Sequence, residues 1–446
     1  MWSYILSTGS ILGTIAVAAS GCGYIGYELL DDQASQTGSA NTGTEDGTGT
    51  EDGTGAGLNS GSTLGSNNLP GGEDGGLARL PTCAAFSSQL VANRPAVIPY
   101  PGHELFNTSG GVGANGHMMA WLEDETINGG AGVSLHAAFV DDRLTVTTKE
   151  VRLWPGATPR GTSLVMSIAY EPKSNLFFIL ALANSTGYMF SLSPDLSEPA
   201  QETALPDVTG LGSVRGFPRI DERVYALVTR NGQNEFDWLI REPDGTIRYA
   251  TTGDSSTIGS HGTWFSTFSV GSDLVALWRQ GNPRDVYFAR FDAEGAALDT
   301  PQVLTSDLSY HAYDPSASYS EAQGAYLVAW HRRFASTHRE AIFATYDASG
   351  TRLSDPQTIS TPGGNVGHLR VAAYGTGWVV RWHDLNQSLD DGVILDGTLA
   401  ATPIDAASAT QAVSPISVID AGTAYFTADP SGDLRITHDC TPPPTT

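Results

Sequence analysis

Tryptophan recurs at a fixed interval in the C-terminal half of this chain, each time within a short apolar run. The residues are Trp278, Trp330 and Trp382, and the interval is 52 residues, since 330 − 278 and 382 − 330 both equal 52. A period of about 20–50 residues is typical of structural units that stack on one another. We therefore expect a repeat architecture rather than a fold built around one ordinary core.

Each tryptophan-bearing unit is predicted to contain four short β-strands. The fifth unit is the clearest, with predicted strands at 316–319, 325–331, 341–346 and 357–360. Asp347 and Gly350 bracket a tight turn between its last two strands, because glycine supplies the positive φ that such turns need. The fourth unit repeats this pattern after Trp278, and the sixth repeats it after Trp382.

Weaker copies extend the repeat to seven units. Apolar runs occupy the buried-strand position of the remaining units at 117–121, 177–182, 224–228 and 423–427. Seven four-stranded units predict an all-β, seven-bladed β-propeller, with a six-bladed ring or a pair of β-sandwiches as alternatives. The last unit lacks an outer strand, and the segment around 83–90 is predicted to supply it and close the ring. The tryptophans are expected to fill the space between blades.

The repeats resemble the Val-Val-Trp…Asp-x-x-Gly units of uncharacterised secreted bacterial propeller proteins. The resemblance spans most of the folded region. It implies the propeller fold and names no activity.

The N-terminus resembles the signal peptide of a bacterial lipoprotein over residues 1–21. An apolar stretch at 11–19 leads to small residues and then to Cys22. The resemblance implies that Cys22 is acylated and becomes the mature N-terminus, which anchors the protein by lipid in the cell envelope, with the outer membrane as the expected location. No Lys or Arg precedes the apolar stretch, so an uncleaved membrane anchor is the alternative.

The rest of the chain divides into three predicted segments. Residues 22–77 are expected to be a disordered linker, since 33–76 contain no aromatic residue and no Lys or Arg. Residues 78–440 are the predicted propeller, and 441–446 a disordered tail. With Cys22 acylated, Cys83 and Cys440 are left as a pair that an exported protein is expected to oxidise. This disulfide would join the two ends of the ring.

Charge and motifs exclude several function classes. A net charge of −25 repels phosphates, so nucleic-acid binding is not expected. The sequence contains no Gly-x-Ser-x-Gly, His-Glu-x-x-His or Cys-x-x-Cys signature and no P-loop. Residues 111–116 match Gly-x-Gly-x-x-Gly, but they precede a predicted strand rather than a helix, and we interpret them as a loop.

Four histidines stand just before predicted inner strands: His103, His261, His311 and His368. Connections at these positions surround the mouth of a propeller's central channel, so the imidazoles are predicted to converge there. Imidazole suits Zn²⁺, Mn²⁺ or Ni²⁺. Some seven-bladed polysaccharide lyases hold a metal in a similar place with His and Gln, which draws attention to Gln411. The alternative is a set of ordinary polar rim residues. His331 and His383, which follow blade tryptophans, are predicted to cap strand ends.

Three functions are compatible with these features. The first is a non-catalytic, lipid-anchored propeller, expected to be monomeric, that displays a binding surface for an envelope protein, a peptide or a glycan. The second is an extracytoplasmic polysaccharide hydrolase or lyase that uses a divalent transition metal at the channel mouth. The third is a structural component of the envelope. The fold alone does not separate them.

Overall fold

The computed structural model describes strands, turns and the connections between them over most of residues 87–439. The described residues are 87–93, 95, 108–113, 116–141, 145–159, 162–164, 168–211, 214–215, 218–230, 236–252, 263–280, 285–305, 310–335, 338–360, 362–387, 389–408, 411–412, 417–419, 422–428, 433–439 and 444. In this part of the chain, no helix has the length and apolar character needed to cross a membrane.

The strands form seven sheets, which confirms the predicted all-β, seven-bladed propeller. From the centre outward, blade 1 consists of Thr108–Gly113, Gly116–Asp124, Val133–Asp141 and Val146–Trp154. Blade 2 consists of Thr162–Leu164 with Ala169–Glu171, Leu176–Ala183, Thr186–Leu192 and Gln201–Leu205. Blade 3 consists of Val208–Leu211 with Arg219–Ile220, Arg223–Arg230, Phe236–Arg241 and Ile247–Thr251. The short strand Val214–Arg215 pairs with the inner strand of blade 4.

The remaining four blades follow the same order. Blade 4 consists of Thr263–Val270, Asp273–Gln280, Asp285–Phe291 and Gln302–Val303. Blade 5 consists of Ala312–Ser320, Ala325–Ala335, His338–Asp347 and Gln357–Thr358. Blade 6 consists of Val366–Tyr374, Gly377–Asp384, Leu389–Leu395 and Ala401–Ser408. Blade 7 consists of Gln411–Ala412 with Ser417–Ile419, Gly422–Ala428, Leu434–Asp439 and the N-terminal strand Ser87–Ala92.

The ring closes as the sequence predicts. Ser87–Ala92 pairs antiparallel with Leu434–Asp439 and so supplies the missing outer strand of blade 7. Val91 of this strand is buried in one apolar cluster with Phe426 of blade 7 and Trp121 of blade 1. The strand Ser87–Ala92 is thus held both by hydrogen bonds and by apolar packing.

The tryptophans are core residues, also as predicted. Trp121, Trp278, Trp330 and Trp382 are all at most 3% exposed. Trp330 lies in a cluster that joins blades 4 and 5, and Trp382 lies in one that joins blades 5 and 6. Burying a large apolar side chain contributes about 1.5–3 kcal/mol, so these rings hold neighbouring blades together.

The recurring Asp turn has a specific hydrogen-bond pattern. Asp347 Oδ1 accepts hydrogen bonds from the backbone N–H groups of Ser349 and Thr351, both at 2.9 Å. Gly350 completes the turn with a φ of +90°. Blade 6 differs, because Leu399, with a φ of +67°, takes the place of this glycine.

The Gly-rich motif near residue 111 is an exception to the sequence prediction. Its first three residues, 111–113, belong to the inner strand of blade 1 rather than to a loop, and Gly116 begins the second strand. The pairing Gly113↔Gly116 makes the motif a tight hairpin.

Antiparallel pairing places the start of each inner strand, the end of each second strand and the start of each third strand on one face of the disk. We call this the entry face. The inner strands of blades 4, 5 and 6 each have a register irregularity close to this face, at Thr263/Ser266, Tyr313/Ser316 and Gly367/Arg370. Such bulges redirect side chains. Tyr313 and His368 lie at two of these irregularities.

Candidate functional site

A layered cluster of rings and a guanidinium lies where blade 4 meets blade 5 on the entry face. Tyr313 and His331 are cross-strand partners, and their rings are parallel, with centroids 5.4 Å apart and an interplanar angle of 9°. The guanidinium carbon of Arg279, from blade 4, lies 5.0 Å from the centroid of the Tyr313 ring. The ring of His311 lies 6.1 Å from that of Tyr313. We call these four residues the blade 5 cluster.

Burial divides the blade 5 cluster into a floor and a rim. Tyr313 and His331 are 8% and 5% exposed, so they form the floor. Arg279 and His311 are half-buried and reach solvent. A ligand on the entry face would therefore meet the guanidinium and the His311 imidazole first, above two aromatic rings that are fixed by the sheet.

A basic hairpin extends the cluster at its edge. The second and third strands of blade 5 meet in a segment that contains His331, Arg332, Arg333, His338 and Arg339. This density of basic groups is unusual in a chain with 48 Asp and Glu against 23 Lys and Arg.

Arg332 is the centre of the contacts within this hairpin. Its guanidinium lies 4.9 Å from the Tyr310 ring and 4.4 Å from the Phe334 ring, and it forms an ion pair of 2.6 Å with Glu340. Phe334 is 55% exposed, which is high for a large apolar side chain. The hairpin thus presents a cation and an aromatic surface side by side.

Blade 6 carries a buried polar network at the equivalent position. His383 Nδ1 lies 2.9 Å from Asp390 Oδ1, and both side chains are 2% exposed. The ring of His368 lies 6.4 Å from that of His383. His368 sits in the bulge of the inner strand with a φ of +59°, a backbone conformation that non-glycine residues rarely adopt. Backbone strain of this kind clusters at functional sites.

Two buried arginines continue this network towards blade 7. Arg370 and Arg381 are cross-strand partners, and each is 4% exposed. The Arg381 guanidinium lies 4.3 Å above the Tyr425 ring and donates a hydrogen bond of 3.1 Å to its hydroxyl oxygen. Two arginines and a tyrosine thus occupy fixed, buried positions within and between blades 6 and 7.

The predicted metal site at the channel mouth stays a prediction. His311 and His368 are described, and they lie in the blade 5 cluster and the blade 6 network respectively. His103 and His261 lie outside the described residues, as does the side chain of Gln411. Among the described residues, the one group of His and acidic side chains close enough to share a metal ion does not include His311 or His368.

His331 and His383 are predicted to cap strand ends, and this prediction is wrong for His331. His383 is the penultimate residue of its strand and is held by Asp390. The strand that contains His331 continues to Ala335, so His331 is not at a strand end and the prediction is wrong there. Its ring instead stacks on Tyr313.

The predicted lipidation and disulfide sites, Cys22, Cys83 and Cys440, lie outside the described residues. One residue of the predicted C-terminal tail is described. The Pro444 carbonyl accepts a hydrogen bond of 3.1 Å from the Thr376 hydroxyl of blade 6.

Sequence reasoning found His311 and His368 but missed Arg279, Tyr313 and Arg332. The signals that point to them are weak: Tyr313 stands two residues after a predicted site histidine, and Arg332 opens a pair of basic residues in an acidic chain.

Several solved structures match this chain at low sequence identity. The crystal structure of the polysaccharide lyase Uly1 matches with a TM-score of 0.50 and 10% identity, over 74% of this chain and 89% of that chain. The Dos1 propeller matches with a TM-score of 0.45 and 9% identity, over 79% and 94%. An endo-arabinase from Bacteroides thetaiotaomicron matches with a TM-score of 0.34 and 15% identity, over 54% and 93%. No protein-family model and no curated protein matches the chain.

Proposed function

We propose that this propeller binds an acidic, uronate-containing glycan on its entry face. The observation that carries the proposal is the layered arrangement of Arg279, Tyr313 and His331, with His311 at its edge. A guanidinium offers a planar pair of donors that match a carboxylate. Tyrosine and imidazole add hydrogen-bonding groups beside it.

The basic hairpin supports the same ligand class. Sugar rings have apolar C–H faces, and Tyr310 and Phe334 present aromatic surface next to the Arg332 guanidinium. A carboxylated sugar would place its charge near the guanidinium and its ring against the aromatic surface. A neutral glycan would use only the second of these contacts.

The overall charge of −25 does not oppose a local contact of this kind. At physiological ionic strength the screening length is about 8 Å. A carboxylate held at the cluster therefore interacts mainly with the nearby arginines. Selectivity for acidic over neutral glycans is expected to come mainly from Arg279, because Glu340 already balances the charge of Arg332.

A second candidate function, eliminative cleavage of the bound glycan, is favoured by one observation. Tyr313 and His331 lie face to face next to the guanidinium of Arg279. Elimination from a uronate needs a cation on the carboxylate, a base that removes the C5 proton and an acid that protonates the leaving oxygen. The C4–O bond breaks, a C4=C5 double bond forms, and no oxidant or cofactor is consumed. Arginine, histidine and tyrosine supply these three roles.

Calorimetric titration with uronic-acid oligosaccharides tests the binding function. The carboxyl-reduced, neutral forms of the same oligosaccharides serve as ligand controls. Arg279→Gln is expected to weaken binding of the acidic form about 10- to 100-fold, which corresponds to about 1.5–3 kcal/mol for a hydrogen bond to a charged group. The matched control is Arg152→Gln, on the outer strand of blade 1, where Arg152 pairs with Glu202.

Equal affinity of wild type and Arg279→Gln for acidic oligosaccharides would overturn the proposal, and so would equal affinity for acidic and neutral forms. Incubation with the same oligosaccharides decides the second candidate. An eliminative cleavage generates an ultraviolet-absorbing conjugated double bond, which Tyr313→Phe and His331→Gln are expected to reduce. If the protein binds the oligosaccharide without forming this product, it is a glycan-binding propeller that does not cleave its ligand.

A further inference from the structure

Blade 1 carries a separate side-chain cluster on the entry face. Glu123 is near the end of its second strand, Glu125 begins a 3₁₀ turn at Glu125–Asn128, and His136 is in its third strand. One potential ligand atom from each of the three side chains lies within 4.8 Å of the other two. Two carboxylates and one imidazole thus converge on one point.

The distances suit a metal ion of zinc size. His136 Nε2 lies 3.5 Å from Glu125 Oε1 and 4.0 Å from Glu123 Oε2, so a single ring nitrogen faces both carboxylates. Ligand atoms at 2.0–2.1 Å from a tetrahedral zinc ion are roughly 3.4 Å apart. The His136–Glu125 distance is already close to that spacing, and the His136–Glu123 distance would have to shorten by about 0.6 Å, from 4.0 to roughly 3.4 Å.

Neighbouring side chains orient the three groups. Trp121 Nε1 donates a hydrogen bond of 2.6 Å to Glu123 Oε1, which leaves Oε2 on the side of His136. The Trp121 ring also stacks on the His136 ring, at 5.6 Å and 18°. The Ser134 hydroxyl contacts Glu125 Oε1 and lies 2.8 Å from His136 Nε2. The Trp121 contacts are of the outer kind that fixes metal ligands in position, whereas the Ser134 hydroxyl would have to leave His136 Nε2 for that nitrogen to bind a metal ion.

The charges of the cluster point to a cation. Glu123, Glu125 and His136 are only 13–21% exposed at their side chains. Over the described part of the chain, the ion pairs of both glutamates involve His136 and no Lys or Arg. Two half-buried carboxylates therefore share one imidazole, and a divalent ion between them would balance both charges.

We infer that Glu123, Glu125 and His136 form a binding site for a divalent transition-metal ion, with Zn²⁺ as the best match. The imidazole nitrogen disfavours the hard cations Ca²⁺ and Mg²⁺, which take oxygen ligands. The site is distinct from the predicted histidine site at the channel mouth and does not depend on glycan binding.

A bound ion would fix the connection between the second and third strands of blade 1. Glu125 already bonds through its backbone N–H to Gly132 O at 3.2 Å, across the base of this connection. Coordination would add a second link, between Glu125 and His136. The metal would therefore stabilise one loop of the ligand-binding face.

Calorimetric titration of ZnCl2 into the purified, chelator-treated full-length protein tests the site. Glu123→Gln, Glu125→Gln and His136→Gln preserve shape or polarity, and each is expected to weaken Zn²⁺ binding at this site by at least about 10- to 100-fold, the effect known for outer contacts of metal sites. Glu321→Gln, in an exposed turn of blade 5, is the matched control. Circular dichroism establishes that each variant is folded.

Substitution with Co²⁺ gives a second readout, since its visible spectrum reports nitrogen and oxygen coordination and should disappear in the three variants. His311→Gln and His368→Gln are expected to retain the blade 1 ion, which separates this site from one at the channel mouth. A wild-type protein that binds no Zn²⁺, or three variants that bind it as the wild type does, would overturn the inference.

Discussion

A buried histidine pair at the seam between blades 1 and 7 makes stability depend on pH. His117 and His438 are 2% and 4% exposed, and their ring centroids lie 5.5 Å apart. Burial, with a smaller contribution from the nearby His438, lowers the pKa of His117 to about 3. Burial also lowers the pKa of His438. Both rings are therefore neutral in the folded protein at neutral pH.

The direction of the pH effect follows from proton counting. Between pH 6.5, the ordinary pKa of histidine, and about pH 3, the unfolded chain binds a proton at His117 and the folded chain does not. The stability from this neutral ring is present above pH 6.5 and is lost as the pH falls towards the folded pKa. At pH 5 the loss is about 2 kcal/mol, from 1.5 pKa units at 1.36 kcal/mol each.

Replacing His117 is expected to flatten this dependence. Both ring nitrogens of His117 are buried without a hydrogen-bond partner among the described residues. His117→Met keeps the volume of the side chain and removes its titration. The free energy of unfolding of the wild type falls between pH 7 and pH 5, and in this variant the fall should be about 2 kcal/mol smaller. Urea unfolding at the two pH values measures this, with Met119→Leu on the same strand as control. Parallel pH profiles for His117→Met and wild type would refute the account.

The glycine of the Asp turn also mediates contact between blades. Gly295 has a φ of +84°, and a Cβ there would lie 2.7 Å from Ala250 Cβ and 3.2 Å from Trp238 Cδ1 of blade 3. The turn of blade 4 thus fits against blade 3. This glycine serves both the turn and the packing against the preceding blade, as Gly350 of blade 5 also does against Phe288 of blade 4.

Gly295→Ala is therefore expected to destabilise the propeller by more than turn strain alone. Gly324→Ala is the matched control, because Gly324 has a φ of +61° and open space around its Cβ position. Strained backbone costs of order 1–3 kcal/mol, and the steric overlap at Gly295 adds to it. The difference between the urea midpoints of the two variants measures what the contact of Gly295 with blade 3 contributes to stability. Equal midpoints would show that this contact contributes nothing.

The sequence predicted some elements better than others for a physical reason. In blades 4 to 6 the tryptophan period and the Asp turns are local signals. In blade 5 the first three predicted strands lie within the observed ones, whereas the predicted outer strand, 357–360, is longer than the observed Gln357–Thr358. The inner strands of blades 2 and 3 are split, for example into Thr162–Leu164 and Ala169–Glu171. Such breaks depend on packing against neighbouring blades, which the local sequence does not record.

For the candidate sites, too, the sequence predicts only what a local pattern records. The period of the repeat identified His311 and His368, because equivalent positions recur along the chain. Arg279 meets Tyr313 only because blades 4 and 5 are adjacent. Glu123 and His136 meet across a hairpin, and the register that brings them together is settled by the whole sheet.

The N-terminal strand is expected to be essential for closure of the seven-bladed ring. A chain that begins at residue 78 keeps Ser87–Ala92 and should unfold at the same urea concentration as the full chain. A chain that begins at residue 93 exposes the edge of Leu434–Asp439, so lower stability and self-association are expected. Urea unfolding and light scattering measure both effects. Equal behaviour of the two truncated chains would contradict the closure. The Cys83–Cys440 disulfide stays a prediction.

Lipid anchoring through Cys22 also stays a prediction. Mass spectrometry of the N-terminal peptide from a bacterial host should find an acylated Cys22. Cys22→Ser should release the protein from membranes, because the predicted linker has no acyl chain of its own to hold it on a lipid surface. An unmodified chain that begins at Met1 would contradict it.

We propose that an acidic glycan binds on the entry face of blades 4 to 6, and this binding can be measured directly. Hydrogen–deuterium exchange of the full-length protein, with and without a saturating uronic-acid oligosaccharide, tests it most directly. We expect slower exchange in the peptides that contain Arg279, Tyr310 to Tyr313 and the hairpin around Arg332. Exchange in the Asp turns on the opposite face should be unchanged. Protection confined to those turns, or no protection in any peptide, would contradict it.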